Sequence, residues 1–127
     1  TGAPMKNTIM VVVFIFVSLT FTVSPKLYAY SGLDNICLFI AENDKNRLRK
    51  LLKTNRVKIR KLYPDMRCND RTLLQFAIEK KAKDVGVFIV KKIPPSLLKK
   101  NAELQWAEDN GFSESEITTA LKKRIGG

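Results

Sequence analysis

The chain has 127 residues, two cysteines, no histidine, and 23 Lys plus Arg against 12 Asp plus Glu, a formal charge of +11. The missing histidine removes the usual general base, the Ser–His and Cys–His nucleophile pairs and the commonest zinc ligand. Six scattered glycines build no phosphate-cradling loop. The reading is a non-enzymatic protein with no cofactor and no metal. Carboxylates are the acid/base groups that remain, and the spacing of Asp65 and Asp70 does not set them apart from surface charge.

Thr1-Gly2-Ala3-Pro4 reads as an expression scar over residues 1–4, with Met5 as the native start. From Ile9 to Val23 every residue is apolar except Ser18, Thr20 and Thr22; Lys6 precedes the run and Ser24-Pro25 breaks it. A basic start, a short apolar run and a small residue at Ala29 predict a secretory signal peptide over residues 5–29. A bilayer span takes about 20 such residues, so a retained membrane anchor is the weaker alternative. Cleavage leaves one small domain, residues 30–127, in the periplasm or outside the cell. In an exported chain Cys37 and Cys68 read first as a disulfide, with two buried free thiols as the other possibility.

Charge is segregated along the chain. Lys45 to Lys61 holds nine basic residues and no acid, whereas Glu103 to Glu116 holds five acids and no base. Arg47, Lys50 and Lys53 fall on one helical face, and Arg56, Lys58, Arg60 and Lys61 extend it. Such a strip is either a solvated face or a docking strip for an acidic protein or anionic lipid. Aromatic residues are too sparse around it for base stacking, and export also disfavours nucleic acid.

Thr72-Leu73-Leu74-Gln75 has the form of a capping box, and a helix starting there places Leu74, Ala77 and Ile78 on one face. Glu79-Lys80-Lys81 interrupts the pattern before it resumes at Val85, Phe88 and Ile89, so two short helices joined by a turn are expected. The same layout lies 37 residues earlier, with Asn35 opposite Thr72 and Leu48, Leu51 and Leu52 opposite Val85, Phe88 and Ile89. A weaker third copy runs through Leu104, Ala107, Gly111, Ile117 and Leu121, with Ser113 and Glu116 as a further capping box. Repeats of this period form stacked units, none of which buries its own apolar face alone. In the stacked reading, Leu38, Ile40 and Ala41 join the core beneath the second unit.

Thr72-Leu73-Leu74-Gln75-Phe76-Ala77 resembles the Thr-Pro-Leu-His-x-Ala signature of ankyrin repeats, and Asp84-Val85 to Phe88-Ile89 resembles the family's second helix. Leu73 and Gln75 stand where the family has proline and histidine, and Asp44 or Lys81 where it has glycine. The resemblance implies an all-α stack of helix-turn-helix repeats at about 33–62, 63–95 and 96–124. It also implies a rigid recognition face without chemistry of its own. A generic array of helical hairpins is the rival architecture.

The turn ahead of the second repeat carries Tyr63, Asp65, Met66, Arg67, Asn69 and Arg71, which include residue types favoured at interfaces. Trp106 is either an interface anchor or a core residue of the last repeat. The expected function is an exported protein–protein interaction module, such as an inhibitor or immunity-type protein, whose partner presents an acidic face. The alternative is a basic membrane-surface binder using residues 45–61.

Overall fold

The structure, a computed structural model, describes residues 33–126. The expected scar and signal peptide lie outside the described residues. Within them the fold is all helical: α1 (Ile36–Ala41), α2 (Lys45–Thr54), α3 (Ile59–Leu62), α4 (Leu73–Glu79), α5 (Lys83–Lys92), α6 (Pro95–Lys100), α7 (Glu103–Asp109) and α8 (Glu116–Gly126). No helix among the described residues is long and apolar enough to cross a membrane.

Local chemistry explains where these helices begin. Asp44 caps α2 by accepting from the Arg47 amide at 3.0 Å. Thr72 caps α4 with both halves of the expected box in place: its hydroxyl accepts from the Gln75 amide, and Gln75 accepts from the Thr72 amide. Pro94 and Pro95 open α6, where a missing N–H leaves no hydrogen bond unmade. Ser115 accepts from the Ile117 amide at the start of α8, so that helix begins two residues later than the expected Ser113 box.

Helices α1, α4 and α7 stop in one common way. Asn43, Lys81 and Gly111 follow them in the left-handed region, with φ of 56°, 57° and 84°. The next amide then turns back to a carbonyl five residues earlier: Asp44 to Phe39 at 2.8 Å, Ala82 to Ala77 at 2.9 Å and Phe112 to Ala107 at 2.8 Å. The chain thus reverses into α2, α5 and α8. The first two turns are 38 residues apart, one more than the expected 37, and the next two are 30 apart.

The helices form two rows. Helix α4 lies between α1 and α7, and α5 lies between α2 and α8. Apolar residues facing across these rows make the core, among them Ile36, Ile40, Leu48, Leu74, Ile78, Val85, Ile89, Ile117 and Leu121. Burying each such side chain contributes about 1.5–3 kcal/mol. The one-residue register change corrects the expected core: Ile36 and Ile40 lie opposite Leu74 and Ile78, while Leu38 is 52% exposed. Gly86, within α5, permits the broad α5–α8 contact, because a Cβ there would sit 2.3 Å from Ile117 Cδ1 and 2.6 Å from its Cγ1.

The expected disulfide is present. Cys37 on α1 is bonded to Cys68 on the connection before α4, with 5.7 Å between their Cα atoms.

Candidate functional site

The connection from α3 to α4 is a projecting turn with its own internal order. Asn69 and Asp70 both have positive φ, 52° and 62°. Cys68 and Arg71 exchange backbone hydrogen bonds across them at 3.0 Å each, the pattern of a two-residue type I′ turn. Arg67 braces the same segment through Nη1, which donates to the carbonyls of Tyr63, Pro64 and Met66 at 3.1–3.4 Å. Asp65, Arg67 and Asn69 are exposed and Met66 is half-buried.

At the end of this turn Arg71 pairs with Glu79 at 2.9 Å and lies 5.5 Å above the Trp106 ring on α7. Trp106 in turn stacks on Phe112, with centroids 5.7 Å apart and planes 17° from parallel. Two of the expected contact residues, Arg71 and Trp106, therefore meet although they are 35 positions apart. The arrangement places a cation, an aromatic plane and a second ring on one half-exposed patch.

Tyr63 does not belong to that surface. It is fully buried, and its hydroxyl donates to Glu103 Oε2. Thr72 donates to the same oxygen at 2.7 Å, and Gln75 donates to Oε1 at 2.7 Å. Glu103 is itself buried. Burial pushes its carboxyl above the usual range, opposed by the hydrogen bonds from Tyr63, Thr72 and Gln75 and by the Arg67 charge. Burial, reinforced by the Glu103 charge, likewise pushes the Tyr63 hydroxyl upward. The network locks the cap of α4 to the start of α7. In the sequence Glu103 looks like one more member of an acidic segment, because its donors lie 28–40 residues away.

The basic strip is exposed throughout: Arg47, Lys50, Lys53, Arg56, Lys58, Arg60 and Lys61. Arg47 pairs with Asp44 at 3.4 Å. Lys50, Lys53, Lys58 and Arg60 line a groove of about 920 Å³, whereas Arg47, Arg56 and Lys61 lie outside its lining. Arg49, Lys91, Lys92 and Arg124 join the lining. The last three come from α5 and α8, so a search for runs of charge along the chain does not find them. The available signal was register: Lys91-Lys92 ends α5 as Lys53 ends α2. Among the described residues no group of three or more His, Cys, Asp or Glu could hold a metal ion.

No curated protein and no solved structure matches the chain. A family model described as "Protein of unknown function (DUF3718)" matches residues 36–100, just over half of the chain, from the start of α1 to the end of α6. The chain belongs to the DUF3718 family.

Proposed function

We propose that the domain is an exported, non-enzymatic recognition module that holds a protein partner with an acidic face. The observation that carries this reading is the Arg71–Trp106–Phe112 patch, assembled from a projecting turn and the next row helix. Trp and Arg are the residue types that dominate binding energy at interfaces. Asp65, Met66 and Asn69 flank the patch along the turn. Its parts are held before any partner arrives, by the Arg67 brace, the type I′ turn and the Glu103 lock, so little ordering is left to oppose binding.

The layout behind the patch is ankyrin-like in this proposal. Successive hairpins with left-handed turns at Asn43, Lys81 and Gly111 support it, as does the double row of helices. Export is supported by the Cys37–Cys68 bridge, which suits an oxidising compartment. Net positive charge speeds encounter with an acidic partner, which fits an inhibitor or immunity-type role.

The test is capture from the native cell envelope with the oxidised protein as bait. A stoichiometric protein partner is expected. Trp106→Ala should weaken its binding by about 2 kcal/mol, roughly 30-fold, with the helical circular dichroism unchanged. Partner binding indifferent to both Trp106→Ala and Arg71→Ala would remove the patch from the account.

A further inference from the structure

The groove lined by α2, α3, α5 and α8 gathers charge of one sign. Eight cations line it and no carboxylate does. Among the described residues the ion pairs are Arg47–Asp44, Arg71–Glu79 and Lys83–Glu116, and none of their members lines the groove. The lining also has an apolar part: Leu52 and Ile59 are buried, Val57, Phe88 and Pro94 are half-buried, and the Lys92 ammonium lies 5.9 Å from the centre of the Phe88 ring. A ligand that completes this groove carries concentrated negative charge next to an apolar body.

We propose that the groove binds a single anionic phospholipid, its phosphate among Lys50, Lys53, Lys91 and Lys92 and the first segment of its acyl chains over Val57, Phe88 and Pro94. Three features select this occupant. Five of the eight cations are lysines, point charges on flexible stems that can converge on a phosphate, and the three arginines can bind its oxygens in pairs. A free phosphate or polyphosphate would leave the apolar lining wet, whereas an amphiphile covers both parts. The helical parts of the wall use their backbone groups internally, and the lining belongs to no strand edge that could pair with an extended acidic peptide. The volume, about 920 Å³, is that of a site for one small amphiphile. The site shares no residue with the Arg71–Trp106 patch and does not depend on the protein-partner reading.

The test uses the whole oxidised chain and vesicles of phosphatidylcholine with or without about one third phosphatidylglycerol, the pure phosphatidylcholine vesicles measuring whatever the leader contributes. The anionic vesicles should bind at least about tenfold more tightly, with the excess lost as salt rises from about 0.1 M to about 0.5 M. Lys50→Glu/Lys91→Glu should remove most of that excess. Lys61→Glu/Lys99→Glu, an equal change of charge at exposed positions outside the groove, should reduce it less than about threefold. Calorimetry with short-chain phosphatidylglycerol below its micelle concentration should give a one-to-one complex at least about tenfold tighter than the deacylated headgroup. Equal losses in the two double variants would overturn the site in favour of diffuse attraction. Equal binding of the bare headgroup would overturn the lipid in favour of a simple phosphate. Tighter binding of an acidic peptide such as oligoglutamate, abolished by the groove variant, would replace it with a protein segment. No preference for anionic vesicles would end the proposal.

Discussion

The first and middle hairpins are built to one local plan and stabilised in different ways. Helix α4 buries five of its seven residues, Leu73, Leu74, Phe76, Ala77 and Ile78. Helix α1 buries two of six, Ile36 and Ile40, and leaves Leu38 half in solvent. The difference lies in position. Among the described residues, helix α4 has a neighbour on each side, α1 and α7, whereas α1 has α4 on one side of its row. The first hairpin is held instead by the Cys37–Cys68 bond and by Asn43, which donates to Asp84 at 3.2 Å and accepts from the Val85 amide at 3.1 Å. Where helices lie side by side in a row, a hairpin's stability depends on its neighbours as much as on its own residues.

Removing the staple is the strongest way to break this comparison. Cys37→Ser/Cys68→Ser should cost about 3 kcal/mol, read as a lower denaturant midpoint, with α1 and α2 loosening first. Next in size is Gly86→Ala, which drives a methyl group into Ile117 at the α5–α8 contact. Overpacking of this kind costs about 1–3 kcal/mol, and pairing it with Ile117→Ala should recover part of the loss in a double-mutant cycle.

The link between the middle and last hairpins is sharpened by pH. The Glu103 carboxyl is raised in the folded protein, so the folded state holds that proton more tightly than the unfolded chain does. Its contribution is therefore fully present below the ordinary carboxylate range and is lost as pH rises through the raised folded value. Urea midpoints measured across that window should fall with rising pH in the wild type, and Glu103→Gln should flatten this part of the profile. The smallest effect concerns Ala102, a non-glycine residue at φ 50° immediately before α7. Ala102→Gly should stabilise by roughly 0.5–1 kcal/mol by relieving the left-handed strain, seen as a rise in Tm.

Helical class, the Thr72–Gln75 box and the Cys37–Cys68 pairing were legible in the sequence because they are short-range patterns or simple counting. The sequence register differs from the structural one by one residue because Phe39 and Phe76 look equivalent, whereas the turns at Asn43 and Lys81 set the alignment. Leu38 reads as core in the sequence because periodicity locates an apolar face and says nothing about whether another helix covers it. Tyr63 reads as a surface aromatic because its turn is polar. Its buried partner Glu103 is 40 residues away and shares no local motif with it. The basic strip was visible as a run; the groove was not, since Lys91, Lys92 and Arg124 reach it only through the packing of α5 and α8.

Native-state hydrogen exchange, compared between oxidised and reduced protein, tests the serial arrangement of hairpins most directly. Helices α4 and α5 should exchange only through global unfolding, and reduction should let α1 and α2 open separately while α4 to α8 stay protected. Loss of protection in α4 and α5 ahead of α1 and α2, or uniform loss along the whole chain on reduction, would contradict the serial arrangement.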